Sequence, residues 1–220
     1  MVEIGFYALS FVMASLVYFI LLRYGNDGLH LKYMAIVLSW VMYLQVLIYT
    51  GVLANFHLPP RVPLIVILVS FFILYIATSG KGFKKMLLSC PDAMLVYIQS
   101  FRILVELLIY AAFIKGVFPK GVTFEGTNPD ILVGISAVIM GLFVQKNKVG
   151  KKAILIWNVV ALLMLTLTGY SFVNAFYSSP YMHLSQKLQF VSMPYLLLPG
   201  VLLPLAVFFH VSSIRKALIR

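Results

Sequence analysis

Seven apolar runs, near residues 4–22, 33–53, 62–78, 91–114, 130–145, 153–176 and 190–210, divide this chain, and charged or proline-rich stretches separate them. Most match the roughly 17–25 residues that a helix needs to cross about 30 Å of hydrocarbon. They predict an all-α integral membrane bundle of seven transmembrane helices. The runs 62–78 and 130–145 are short, which fits either tilted partners of longer neighbours or partial insertion. Composition agrees, since 62% of the residues are hydrophobic and 10% charged, against about 45–50% apolar and about 25% charged in soluble domains. No connection is long enough for a second, soluble domain, so residues 1–220 are expected to form a single transmembrane domain.

Basic residues then predict an orientation, because Lys and Arg accumulate in short cytoplasmic loops. Arg23 and Lys32, Lys81, Lys84 and Lys85, Lys146, Lys148, Lys151 and Lys152, and Arg215, Lys216 and Arg220 fall on one side, twelve of the 17 basic residues. The other side has Arg61, Lys115, Lys120 and Lys187, and the remaining one is Arg102, inside a run. The expectation is N-terminus out and C-terminus in. The net charge of +11, which in a soluble protein would raise the question of nucleic acid, is explained by this topology. Its expected partners are membrane lipids, with about 1 kcal/mol per basic residue near an anionic surface, and no nucleic acid.

The first run lacks a basic n-region and a small-residue cleavage site, so it reads as a retained helix. Cys90 cannot form an internal disulfide and carries no information about an oxidising compartment. With no glycosylation sequon and no low-complexity tract, the chain fits a compact bacterial inner-membrane protein. Lipid provides no hydrophobic drive between helices, so contacts rely on small residues and polar links. Gly134, Ala137 and Gly141 lie on roughly one face of the fifth run and predict a close-packing helix. Ser89-Cys-Pro-Asp92 and Thr127-Asn-Pro-Asp130 have the composition of helix starts, with Ser89 read as the cap of the fourth span. Pro199 and Pro204 in the last run must free backbone carbonyls and bend it, and neighbours or water must satisfy those groups. Tyr49-Thr-Gly-Val-Leu-Ala-Asn-Phe56 and Leu167-Thr-Gly-Tyr-Ser-Phe-Val-Asn-Ala-Phe176 echo one another faintly, as in a parallel repeat of spans one to three and five to seven around span four.

The candidate site lies on the fourth run. At about 100° per residue, Asp92, Gln99 and Glu106 stay within about 40° of one another, with Arg102 and Tyr110 at the edges of the same stripe. An ionised side chain at membrane depth costs roughly 2.5–3.5 kcal/mol on insertion scales, so such a stripe faces the bundle interior, a water-filled cleft or a partner subunit. Arg102 and Glu106 are roughly 16 and 22 Å beyond Pro91 at 1.5 Å per residue, from mid-bilayer into the outer half. The Gly- and Pro-rich connection 115–130 allows a re-entrant path that places Glu125, Asn128 and Asp130 over the same cleft. Gln99, Arg102, Glu106, Tyr110, Glu125, Asn128 and Asp130 therefore form the candidate ligand-binding set. Arg102 would take an anionic group of a small solute or lipid, with Glu106 as counter-ion or proton carrier. The structural alternative is an i,i+4 Arg102–Glu106 pair that neutralises two charges, although Arg before Glu is the less favoured order.

Asn158, Thr166 and Asn174 read mainly as interhelical links, and His210, at the inner end of span seven, as interfacial. His57 and His183 have no close ligand spacing, so no metal and no cofactor is expected. The last run has no Lys for a retinal Schiff base, and neither a rhomboid-type serine setting nor a P-loop, H-E-x-x-H or Rossmann glycine pattern is present. Phe124-Glu-Gly-Thr-Asn-Pro-Asp-Ile-Leu132, with the final proline-bearing run leading into His210-Val-Ser-Ser-Ile-Arg-Lys216, resembles uncharacterised bacterial multi-pass inner-membrane proteins. That resemblance covers the second half of the chain and implies a location without supplying an activity or catalytic residues. Three functions stay open: a carrier or binding protein for a small polar or anionic solute or lipid, an enzyme acting on a lipid or polyprenyl-linked substrate through Glu106 or Glu125, and a non-catalytic accessory or sensor subunit. The last would bury the stripe against itself in a homo-oligomer or against a membrane partner.

Overall fold

The computed structural model describes residues 1–25, 28–179 and 182–219, and among them it is all-helical, with no strand. In chain order the main helices are α1 (Val2–Tyr24), α2 (Leu29–Tyr49), α3 (Val62–Thr78), α4 (Lys81–Ser89), α5 (Asp92–Ile114), α6 (Asp130–Gln145), α7 (Lys151–Ser178), α8 (Leu184–Phe190) and α9 (Leu198–Ile219). Five of them, α1, α2, α5, α7 and α9, are long and apolar enough to cross a membrane. The two short runs behave differently from these. Run 62–78 is α3, which bends by 82° into α4, and the two make at most one further span. Run 130–145 is α6, with 16 residues, about 24 Å long at 1.5 Å per residue. The chain is thus a helical membrane protein with large apolar faces left exposed, as lipid contact requires.

The chain divides into two compact units. The first holds residues 3–90 and 183–204. On α1, Phe6, Leu9, Met13, Val17 and Leu21 are buried at spacings of three and four, the period of one helix face. The α3–α4 bend turns an apolar helix into an amphipathic one, with Phe83, Met86 and Leu87 buried and Lys81, Lys84 and Lys85 exposed. Ser89 does not cap the next helix. It is the last residue of α4, where its hydroxyl donates to Lys85 O at 3.1 Å, and α5 starts after Pro91 instead. Run 190–210 is displaced as well. Residues 191–196, with Pro194 among them, form turns, and the helix runs over α9, ending well beyond the apolar run on its C-terminal side. Pro194 has no N–H and disfavours helical backbone in the residue before it. Hydropathy cannot register either property.

Pro204 removes the N–H that would bond Gly200 O, and the Trp40 indole donates to that carbonyl at 2.7 Å. Tyr43 donates to Ile65 O at 3.0 Å, inside the widened π-helical turn Val62–Ile67 that opens α3. Neighbouring side chains thus supply the satisfaction that irregular helix backbone needs away from water.

The second unit holds residues 91–182 and 205–220. Close approach of α5 and α6 organises it. A methyl group on Gly134 would come within 2.8 Å of Ile103 N, and one on Gly141 within 2.5 Å of the Tyr97 ring, while Ala137 between them is fully buried. The small-residue face expected on the fifth run is the contact face. Connection 115–129 folds back along α5, with Phe118, Val122, Thr123 and Asn128 buried. Its turn depends on Gly126, where a Cβ would sit 2.3 Å from Lys120 O. Phe118 packs edge-on against Phe172 and Phe176 of α7. Non-helical backbone is tolerated at membrane depth when it is enclosed by protein in this way.

Candidate functional site

Arg102 sits mid-way along α5, and its guanidinium is 1% exposed. Connection 115–129 returns the chain by about three helical turns, so that Asp130, the first residue of α6, lies beside it. Nε of Arg102 donates to Asp130 Oδ2 at 2.6 Å, and Nη2 is paired with Oδ1. This is the two-point fork that guanidinium and carboxylate prefer. Asp130 is held in turn, because its backbone N–H donates to Asn128 Oδ1 at 3.0 Å, a local turn that starts the helix.

Nη1 of Arg102 reaches His210 Nε2 on α9 at 2.9 Å. A guanidinium has no acceptor, so Nε2 must accept, and the ring hydrogen is on Nδ1. Nδ1 lies 2.8 Å from Asn158 Oδ1 on α7. Asn158 is oriented by its amide nitrogen, which donates to Ile154 O at 2.8 Å and to Ser213 Oγ at 3.0 Å. The geometry therefore defines His210 as neutral, in one tautomer.

Glu106, one turn beyond Arg102 and fully buried, accepts from Asn128 Nδ2 at 2.9 and 2.8 Å. The same nitrogen donates to Val122 O at 3.0 Å, and Asn128 Oδ1 accepts from Thr168 Oγ1 of α7 at 2.6 Å. Asn128 thus ties together a carboxyl, a helix start, its own loop and a neighbouring helix. Its amide cannot be reversed without setting oxygen against Val122 O and nitrogen against the Asp130 N–H.

Of the seven residues expected at the site, Arg102, Glu106, Asn128 and Asp130 meet in this cluster. Gln99 is buried on the same stripe but serves α9, donating to Ala206 O at 3.1 Å, and its Oε1 has no hydrogen-bond partner among the described residues. Asp92, at the start of the stripe, pairs with buried Lys216 at 2.8 Å, so Asp92, Gln99 and Arg102 all reach α9, whereas Glu106 and Tyr110 meet connection 115–129. Tyr110 and Glu125 make a separate group. Tyr110 stacks on Phe124 at 5.0 Å between centroids and faces Glu125, which is exposed and 3.5 Å from Lys120. The self-contained Arg102–Glu106 pair is not what forms, because the fork of Arg102 is turned to Asp130.

His210 is a member of the cluster and fully buried, not interfacial. Asn158 belongs with it, whereas Thr166 is exposed and bonds its own helix at Leu162 O. Thr168 and Ser213 are further members that the sequence reading left out. A signal existed, since His210, Ser213 and Lys216 recur every third residue, a polar stripe that is visible once the last helix is continued past 210. Among the described residues, no group of three or more His, Cys, Asp or Glu side chains comes together as a metal site.

Fold and site together define a helical membrane protein with a charged, hydrogen-bonded cluster inside its second unit. The chain belongs to the family described as a domain of unknown function (DUF8737), which matches residues 59–218. The match takes in every cluster residue and leaves α1 and α2 outside it. No curated protein and no solved structure matches the chain.

Proposed function

We propose that this protein is a carrier of a small anion, a carboxylate or phosphate, and that Arg102 is the group that takes the anion. The observation that carries this reading is the two-point hold of Asp130 on a guanidinium buried within a span. Arg102 is thereby presented in the geometry that suits an external carboxylate or phosphate. Asp130 occupies the place of the anion in the unloaded state, and Glu106 is a second carboxyl one turn away. Intramembrane charges that are paired with one another commonly mark solute or ion pathways. The membrane arrangement proposed with it is seven spans, N-terminus out and C-terminus in, in a bacterial inner membrane, supported by the twelve basic residues on one side.

The test is uptake of labelled inorganic phosphate and of succinate by liposomes containing the full chain. Arg102→Ala should lower uptake of the transported anion at least tenfold while the protein still inserts, and Arg102→Lys should retain part of it. Uptake unchanged in Arg102→Ala rules the carrier out. One observation favours a second reading, an accessory or sensor subunit: the nitrogens of Arg102 are engaged within the chain. That reading predicts a stoichiometric membrane partner after mild solubilisation, and a monodisperse monomer would count against it. The enzyme reading, with Glu106 or Glu125 as acid or base, has less support, because Glu125 is exposed and paired with Lys120 and Glu106 is enclosed against Asn128.

A further inference from the structure

The buried cluster contains one permanent cation and two carboxyl groups. Arg102, Asp130 and Glu106 are each 3% exposed or less. The groups that face Glu106 come from every element around it. On α5 the charged one is Arg102, whose fork is turned to Asp130. From connection 115–129 comes the Asn128 amide, and from α6 comes Asp130, which adds negative charge. From α7 comes the hydroxyl of Thr168, acting through Asn128, and from α9 comes His210, made neutral by accepting from Arg102. With both carboxyls ionised, the cluster would carry an uncompensated negative charge within a membrane-spanning segment. Such a charge is strongly disfavoured.

We infer that Glu106 binds the proton that balances this cluster, and so is a proton-binding site of the membrane domain. Asp130 is the poorer host, because both its oxygens are engaged by Arg102 in the fork that an ionised carboxylate makes. Glu106 receives one amide nitrogen on its two oxygens, and one of those contacts survives when the other oxygen carries hydrogen. The use of this proton as a coupling ion rests on the carrier reading above. Its presence on Glu106 does not, since it follows from charge and placement.

The chain has six Asp and Glu residues, few enough for infrared assignment. Full-length protein in lipid nanodiscs at neutral pH should show a carboxylic-acid C=O band that shifts in deuterium oxide. Glu106→Gln should abolish the band, because one carboxyl then faces one cation. Since that loss follows from the charge sum wherever the proton sits, Glu106→Asp identifies the site: the band should persist and move in frequency. A wild-type spectrum without the band, a band that persists in Glu106→Gln, or an unmoved band in Glu106→Asp overturns the inference. If Glu106→Gln fails to fold, Glu106→Asp alone decides. An intact band without anion uptake would fail the carrier reading only, and uptake without the band would fail the proton only.

Discussion

The two compact units use polar side chains differently. In the first, Trp40, Tyr33, Tyr43 and Arg61 each donate to a backbone carbonyl, those of Gly200, Ala14, Ile65 and Val52. These bonds tie one helix to another or serve irregular backbone, and none needs a second charge. In the second unit, Arg102, Asp130, Glu106, Asn128, Thr168, Asn158, His210 and Ser213 bond mainly to one another. Backbone repair is the minimum that irregular helices need in lipid. A side-chain network with four ionisable groups, Arg102, Asp130, Glu106 and His210, goes well past that minimum, and for that reason the proposed anion site lies in the second unit.

The sharpest way to break this comparison is Arg102→Met. Removing one partner of a buried ion pair typically costs about 3–5 kcal/mol, because the other charge is left behind, and here Asp130 loses its cation. Unfolding free energy in mixed micelles should fall by about that amount, and a loss below about 1 kcal/mol would mean that the cluster is not the second unit's anchor. Asp130→Asn should cost less, about 1–3 kcal/mol for the charge-assisted bonds it weakens, since Glu106 still faces Arg102. Equal costs for the two variants would show that Glu106 takes no share of the guanidinium.

Gly134→Ala comes next in size. The new methyl meets Ile103 N and the Ile103 side chain, both at 2.8 Å, and the backbone of α5 at that point also carries Arg102. Overpacking of this kind costs about 1–3 kcal/mol. Gly141→Ala should cost less, because the nearest atoms its methyl meets belong to the Tyr97 ring, a side chain that can turn aside, and not to backbone. The reverse order would mean that Tyr97, held to Gln145 Oε1 at 2.8 Å, is the more rigid neighbour.

Much of the first level was legible in the sequence. Hydropathy located five long helices and the two short runs, and the glycine spacing located the close-packing face of α6 though not its partner α5, because both depend on a local period. The stripe on α5 was legible for the same reason. Its partners were legible in part. The glycines and prolines of 115–130 pointed to a re-entrant path that brings Asn128 and Asp130 to the stripe, but not to which group each would bond, and His210, 108 positions from Arg102, was read as interfacial. The limits of α9 were hidden because hydropathy falls at His210 while the helix continues through a polar, buried face. Lys216 shows the same effect: counted among tail charges, it lies buried against Asp92.

The smallest effect tests the first unit. Trp40→Phe keeps most of the ring but removes the indole N–H, leaving Gly200 O without the donor that replaces the Pro204 N–H. A neutral hydrogen bond contributes about 0.5–1.5 kcal/mol net, and an unsatisfied buried acceptor somewhat more. The ring also packs on Tyr43 at 5.1 Å, a contact that Phe retains. Unfolding free energy should therefore fall by about 1 kcal/mol, with anion uptake unchanged, since Trp40 belongs to the first unit and the proposed anion site to the second. Restoring the missing bond from the other side, by Pro204→Ala in the Trp40→Phe background, should recover that loss, because the substituted residue regains a backbone N–H that can reach Gly200 O. A double variant as weak as Trp40→Phe alone would show that the Trp40 bond does not substitute for the helix bond lost at Pro204. The contrast between a unit that repairs its helices and one that builds a charged site would then have to rest on the second unit alone.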